Sequence, residues 1–479
     1  MNRRLLLGLT VLAGGCTLGP DYHRPELPVP QGWREVTAGE QESLANTPWW
    51  ELFQDPELVQ LIHTSLTENK DLAIAVERIE EARAIYGFTR ADLYPRVDAG
   101  ASVSRVHVSE NGIPSLPSGV DNEGTIYSVG GAVSWELDFF GRVRRATEAE
   151  LAQMYAAEQS RRAVVLSLVS DVAKAYVELR DLDRRVEIAR RTLESRIAYV
   201  TLAKDRFEGG VTSELDYRQA EAEQHRTAEF LYEFEGLVKL KENEISQLLG
   251  RNPGAIARGR TLEEITFPPA VPSGLPSELL DRRPDVREAE ELLASANARI
   301  GSAKALLFPS VSLTGAFGWQ SSELDELLKS PSRAWSIGAN LLQPIFNAGQ
   351  NQRRVEVAES QQRQALSAYE RSVLSAFREV EDSLASLKQS KLRLGSAGER
   401  VNAERKVLDL AETRYTGGVA TYLEVLDAQR SLFDAELDET TARRDQFVAL
   451  IQLYKALGGG WPQAAEAADS KDADAHVKG

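Results

Sequence analysis

The chain has little of the residue types on which catalysis and metal binding usually depend. It contains one cysteine and five histidines in 479 residues. The histidines are scattered and lack the close pairing that zinc ligands show. The sequence also has no phosphate-binding loop and no G-x-S-x-G motif. These absences argue against an enzyme, a cofactor or a bound metal.

Long apolar runs and an excess of positive charge are missing as well. No segment after the N-terminus reaches the roughly 18 apolar residues of a transmembrane helix. The formal net charge is -16, and no basic stripe is present that would follow a phosphate backbone, which argues against a nucleic-acid partner. Apolar residues make up 42% of the chain and charged residues 27%, a composition typical of a folded protein with a solvated surface.

The N-terminus has the features of an export signal. Arg3 and Arg4 precede an apolar run over residues 5–12, and small residues then lead to Cys16. Because this run is too short to span a bilayer, residues 1–15 are predicted to be a signal peptide that is removed. Cys16, the only thiol, is then the expected site of lipid attachment. An ordinary signal peptide with an incidental cysteine is the alternative.

Four short segments alternate between apolar and polar residues, as strands do. They form one pair within residues 97–137 and a second within residues 310–346. The clearest run contains Val311, Leu313, Phe317 and Trp319. Each run is about ten residues long, the length of a tilted membrane strand. Alternation alone fits a small soluble sheet equally well, and the export signal favours the membrane strand.

A long helical hairpin is predicted after each strand pair, over residues 141–249 and 349–457. Neither segment contains proline, and glycine pairs at 209–210 and 417–418 mark the turns. Each hairpin therefore has a helix of about 65 residues and one of about 39, the longer about 100 Å in length. Helices of that length must pack laterally, in a coiled coil or a helical barrel.

The two halves of the chain repeat each other. RFEGGVTSELDY begins at Arg206 and RYTGGVATYLEV begins at Arg414. A period this long indicates a duplicated half-molecule rather than a solenoid unit. A helix precedes each strand pair, from Pro56 to about Ala91 and from Asp285 to about Leu306. The assignment is a first repeat at 16–250, a connector at 251–284, a second repeat at 285–461 and a flexible tail at 462–479.

Four strands cannot close a barrel by themselves. Open sheet edges are not tolerated in lipid, where every backbone polar group needs a partner. If the alternating runs are membrane strands, several chains must share one barrel, and the long helices would continue its wall. A closed wall of that kind is a conduit.

Several motifs together resemble the TolC-like family of outer-membrane efflux channels, in its lipid-anchored branch of OprM- and NodT-type proteins. They are CTLGPDY at 16–22, the Trp49-Trp50 pair, WELDFFGR at 135–142, QPIFNAG at 343–349 and YLEVLDAQR at 422–430. The resemblance implies a mainly α fold with a membrane β-barrel. Three chains would each contribute four strands to a shared twelve-stranded barrel, continued by an α-helical barrel in the periplasm of a Gram-negative bacterium.

The resemblance also implies the function and the partners. A homotrimer in outer-membrane lipid would be the exit duct of a tripartite efflux pump for drugs, other toxic compounds or metals. Its partners would be a periplasmic adaptor and an inner-membrane RND-type transporter. Protein export beside a type I secretion transporter is one alternative, and a non-channel coiled-coil lipoprotein is another.

The second glycine turn contains the expected periplasmic gate. Leu423, Asp427 and Arg430 lie on one helix face, with Glu424 beside them. Taken alone, an Asp-x-x-Arg pair is usually a solvated pair of little energetic value. In the family, aligned positions form the constriction of the tunnel, so the resemblance makes these four residues the gate.

The resemblance further implies a latch and a docking surface at the two turns. Tyr415 matches the latch tyrosine and Asp216 its acid. The family's companion arginine aligns with Ala420, so the second link is either absent or supplied by Arg414. The expected adaptor-docking residues are Gly210, Val211, Thr212, Gly418, Val419 and Ala420. Plain helix reversal, which glycine permits through positive φ, is the alternative and is compatible with docking.

Overall fold

The computed structural model describes residues 17–34, 50, 53–109, 122–265 and 276–459. Cys16 and the predicted tail at 462–479 lie outside these residues. Within them, no helix combines the length and the apolar character needed to cross a membrane. The chain divides into two compact units. One comprises Met1–Glu26, Arg78–Glu158 and Glu288–Glu370, and the other comprises Leu27–Glu77, Gln159–Arg287 and Arg371–Gly479.

The secondary structure is dominated by helices. These are α1 (Pro56–Glu68), α2 (Lys70–Ala91), α3 (Arg142–Glu208), α4 (Glu214–Leu248), α5 (Pro276–Arg282), α6 (Pro284–Ala305), α7 (Gln350–Thr416) and α8 (Tyr422–Ala456). The strands are β1 (Arg96–His107), β2 (Glu123–Leu137), β3 (Ser310–Ser321) and β4 (Arg333–Leu342). In each half a strand pair is followed by a helix of 67 residues and one of 35. The prediction of a mainly α fold with a small set of strands is confirmed.

The prediction of one continuous helix from Pro56 to Ala91 is wrong. The helix is interrupted at Asn69, whose extended backbone ends α1. The Asn69 Oδ1 atom accepts a hydrogen bond from the Leu72 amide at 2.9 Å, and its Nδ2 atom donates to the Leu248 carbonyl at 2.8 Å. Asparagine is among the best N-terminal caps, so this residue starts α2 as a separate helix.

Two predicted boundaries also differ from the structure. The segment assigned as connector, 251–284, contains α5 and the first residue of α6. The second strand pair, predicted to reach residue 346, ends at Leu342. Pro344 follows closely, and proline cannot donate to the ladder of a sheet.

The four strands form one antiparallel sheet in the order β1-β2-β3-β4. The two hairpins are joined through β2 and β3, where Gly130 pairs with Gly318. A Cβ atom at Gly130 would lie 2.7 Å from the Phe317 carbonyl oxygen, and one at Gly318 would lie 2.4 Å from the Val129 oxygen. The backbones therefore approach too closely here for any side chain. Gly100 of β1 pairs with Gly130 on the other side but has open space at its own Cβ position.

A large core lies where α1, α3 and α8 pack in the second unit. It includes Phe53, Tyr176 and Phe447, and the Phe53 and Phe447 ring centroids are 5.9 Å apart. The core also contains the carboxylate of Asp55, which is 1% exposed.

Asp55 joins three segments of this core through four hydrogen bonds. Its Oδ1 atom accepts from the amides of Glu57 at 2.9 Å and Leu58 at 3.3 Å, capping α1. Its Oδ2 atom accepts from the Tyr176 hydroxyl at 2.9 Å and the Arg260 amide at 3.0 Å. The segment between the two repeats is thereby fixed against α3.

Candidate functional site

The segment that directly follows Cys16 packs against the other segments of the first unit. The Leu18 amide donates to the Phe140 carbonyl at 3.2 Å. Gly19 has a φ of +96°, and a Cβ atom there would lie 2.4 Å from the Gly301 Cα atom. Both glycines are required because the two backbones touch.

Arg145 of α3 completes this docking. Its side chain is 5% exposed, and it donates to the Leu18 carbonyl at 3.1 Å and to Asp21 at 2.6 Å. Helix α6 supplies the other side, where the Asn297 amide group donates to the Pro20 carbonyl at 2.9 Å. Residues 17–21 are therefore held between α3 and α6, with Cys16 covalently attached to one end.

The two hairpin turns share one backbone design. In the first, the Val211 amide donates to the Arg206 carbonyl at 2.8 Å and the Gly210 amide to the Phe207 carbonyl at 2.9 Å. In the second, the equivalent distances, from Val419 to Arg414 and from Gly418 to Tyr415, are 3.0 and 3.1 Å. Both are Schellman motifs, and both central glycines have positive φ, +71° and +75°.

The turns leave apolar side chains in solvent. In a Schellman motif the residue after the glycine usually packs against the last turn of the helix. Here that residue is Val211 or Val419, and their side chains are 74% and 70% exposed. The helix position that would receive them is an arginine in each case. The predicted docking residues therefore include one exposed valine at each turn.

The predicted latch contact is not made within the chain. Among the described residues, no hydrogen bond joins Tyr415 to Asp216. Asp216 lies in the first turn of α4, where its amide donates to the Ser213 hydroxyl at 3.4 Å. Tyr415 is 8% exposed and packs against Tyr422 with 5.8 Å between ring centroids. Tyr415 instead contacts Arg206 of the first helical hairpin, whose guanidinium lies 4.8 Å from the centre of the Tyr415 ring.

The four predicted gate residues lie on α8, each in a different environment. Leu423 is 57% exposed. Glu424 is paired with Arg414, a predicted latch residue, at 3.4 Å. Asp427 is exposed and forms no hydrogen bond or ion pair with another described residue. Arg430 is partly exposed and is bonded to Glu223 of α4 rather than to Asp427.

Glu223 is the centre of a cluster of charged residues that was not predicted from the sequence. Its side chain is 6% exposed. Besides Arg430, its carboxylate lies 4.0 Å from Arg196 of α3 and 3.8 Å from Arg226 of α4. Arg196 also donates to the side chain of Gln429 on α8. We call Glu223, Arg196, Arg226, Gln429 and Arg430 the Glu223 cluster.

The electrostatics of the Glu223 cluster follow from its burial. Burial lowers the pKa of the Arg196 guanidinium, because removal from water disfavours the charged form. The hydrogen bond to Glu223 raises the pKa of Arg430. The cluster could have been found from periodicity, since Glu223 continues the buried face of α4 that Ala220, Thr227 and Leu231 define. A charged residue on such a face needs a partner.

The antiparallel strands are 10–15 residues long, which is enough for a tilted strand to cross a membrane. In each half they are followed by helices of 67 and 35 residues. Together these elements define a transport channel of the outer-membrane type. The profile of the family described as "Outer membrane efflux protein" matches residues 61–251 and 275–459. The chain belongs to that family, whose members are channels and not enzymes.

Named relatives and solved structures agree with this assignment. The solvent efflux pump outer membrane protein SrpC of Pseudomonas putida is 37% identical over 460 residues, which cover 94% of this chain and 97% of the relative. The outer-membrane channel OprN superposes with a TM-score of 0.86 at 32% identity, covering 93% of this chain and all of that one. The CmeC outer membrane channel of Campylobacter jejuni gives 0.89 at 25% identity, covering 93% and 95%. The predicted family, fold class and outer-membrane location are confirmed.

Proposed function

We propose that three copies of the chain form the exit duct of a tripartite efflux pump. Each copy would supply four strands to a twelve-stranded barrel in outer-membrane lipid. A periplasmic adaptor would bind the hairpin turns, and an inner-membrane RND-type transporter would deliver small toxic compounds to the tunnel. Relatives named for efflux of solvents and antibiotics support this class of cargo.

The observation that carries this proposal is the pair of open sheet edges. Strands β1 and β4 each pair on one side only among the described residues, and every residue of both strands is exposed. Val97, Trp335 and Ile337 are 71%, 71% and 83% exposed. Unpaired edges with exposed apolar side chains are unstable in water and unsatisfied in lipid. Pairing of β1 of one copy with β4 of the next removes both problems.

The periplasmic gate of the proposed duct comprises Leu423, Glu424, Asp427 and Arg430. Threefold repetition would bring their exposed side chains together around an axis, where the acids repel one another. The latch would involve Asp216, Tyr415 and Arg414, and any contact between Asp216 and Tyr415 would have to form between copies. Val211 and Val419, with their neighbours Gly210, Thr212, Gly418 and Ala420, would receive the adaptor. Lipid on Cys16 would anchor each copy.

The gate is tested by Asp427→Ala combined with Arg430→Ala. We expect a several-fold rise in single-channel conductance in planar bilayers, because the variant removes charge and bulk at the constriction and frees α8 from Glu223. The matched control is Arg400→Ala with Asp438→Ala, an exposed pair at 2.8 Å between α7 and α8. Its conductance should equal that of the unmodified protein. Unchanged conductance in the Asp427/Arg430 variant would refute the gate assignment.

A further inference from the structure

The Glu223 cluster contains one acid and three bases on three helices. Arg196 belongs to α3, Glu223 and Arg226 to α4, and Arg430 to α8. Glu223 and Arg196 are 6% and 3% exposed, whereas Arg226 and Arg430 are 52% and 41% exposed. The three arginines repel one another, and the carboxylate of Glu223 is the group that holds them together.

Arg430 has a second carboxylate within reach. Asp427 precedes it by three residues on the same helix, a spacing at which side chains are neighbours. Asp427 is exposed and forms no ion pair with another described residue. In this structure Arg430 bonds to Glu223. The nearby charge of Asp427 also raises the pKa of Arg430, but Asp427 itself has no bonded counter-ion.

We infer that Glu223 is a positioning residue that prevents Arg430 from pairing with Asp427 and so keeps the ring of Asp427 side chains negative. This inference rests on the proposed function, in which the Asp427 face of α8 lines the constriction. A negative ring at the narrowest point favours cations over anions, since a charged constriction concentrates ions of the opposite sign. Glu223 would then set the charge of the gate although it lies on another helix and is buried.

The inference is tested with Glu223→Gln. Loss of the carboxylate leaves Arg196, Arg226 and Arg430 without their shared acid, and mutual repulsion moves the partly exposed Arg430 toward Asp427, its neighbour on α8. We expect the reversal potential of the oligomer in a potassium chloride gradient to move toward zero, because the ring is neutralised. Asp427→Asn should produce the same shift. The double variant should shift no further than Asp427→Asn alone, since both changes act on one charge.

Glu436→Gln is the matched control. Glu436 is also a buried acid, 8% exposed, and it bonds to two arginines, Arg191 at 2.6 Å and Arg405 at 3.3 Å. It lies on α8 but further from the turn than Asp427. Both variants remove a buried acid that arginines share, so both should lower the temperature at which the oligomer dissociates. Only Glu223→Gln should alter ion selectivity.

The outcomes separate the inference from the proposed function. If Asp427→Asn shifts the reversal potential and Glu223→Gln does not, the inference is wrong and the gate stands. If Asp427→Asn has no effect, the gate assignment itself fails, and the inference with it. Should Glu223→Gln not assemble, Glu223→Asp keeps the charge but withdraws it by one methylene group. An intermediate shift for that variant supports the inference, and an unmodified value overturns it.

Discussion

Gly130→Ala is expected to abolish assembly of the channel in the membrane. The added Cβ atom would lie 2.7 Å from the Phe317 carbonyl oxygen and 2.9 Å from the Gly318 Cα atom. Both are backbone atoms, so no side-chain rotation relieves the contact, and β2 must separate from β3. Overpacking of this kind costs about 1–3 kcal/mol when side chains can adjust, and more is expected where they cannot. The measurement is the yield of heat-resistant oligomer in isolated outer membranes.

The control for this variant is Gly100→Ala. Gly100 pairs with Gly130 in the adjacent strand, yet no atom lies within 4 Å of its Cβ position. Alanine there should leave the yield unchanged or raise it slightly, because glycine weakens a strand interior. Equal yields of the two variants would show that the close approach between β2 and β3 has no role in assembly.

Asp55→Ala is expected to destabilise the helical core more than any single exposed substitution. The change removes the acceptor for four donors: the Glu57 and Leu58 amides, the Tyr176 hydroxyl and the Arg260 amide. Loss of a helix cap costs about 1 kcal/mol, and each buried donor left unpaired costs about 1–3 kcal/mol. With the two amides counted as one cap and the Tyr176 and Arg260 donors counted separately, a total of about 3–7 kcal/mol is expected. The measurement is the temperature of unfolding by far-ultraviolet circular dichroism in detergent, which should fall.

Two further variants calibrate this result. Tyr176→Phe removes one hydroxyl that donates to Asp55 and accepts from the Gly259 amide at 2.9 Å, so its effect should be smaller. Asp382→Ala removes a carboxylate that is 72% exposed and lies 3.9 Å from Arg378, and it should cost less than about 0.5 kcal/mol. A loss for Asp55→Ala no larger than that for Asp382→Ala would contradict the assigned role.

The sequence predicted the long elements well because their signals are long. The proline-free segments and their glycine pairs mark α3, α4, α7 and α8 to within a few residues. Alternation marked all four strands. The break at Asn69 was not predicted because one of its two side-chain hydrogen bonds is to Leu248. A partner so distant in sequence does not alter the hydrophobic periodicity around residue 69. Pairing of β2 with β3 depends on close backbone contact between two glycines, which is invisible until the register is known.

The candidate site was only partly predictable for a related reason. Leu423, Glu424, Asp427 and Arg430 could be placed on one turn of a helix from their spacing. Their partners could not be predicted, because Arg430 bonds to Glu223 on another helix and not to Asp427 on its own helix. Likewise Tyr415 contacts Arg206, the residue that matches Arg414 in the duplicated motif, rather than Asp216. Residue spacing gives neighbours along a helix, whereas packing between helices decides which charges meet.

The docking of residues 17–21 also has a consequence for the order of events during export. Pro20 bonds to Asn297 and Tyr22 bonds to Glu290, partners separated by 277 and 268 residues of sequence. A chain that emerges N-terminus first delivers this segment to the periplasm long before α6 arrives. During that interval the α6 half of its binding site does not exist, so residues 17–21 cannot take up their final position. The first segment of the chain to be made is therefore among the last to be fixed in the fold.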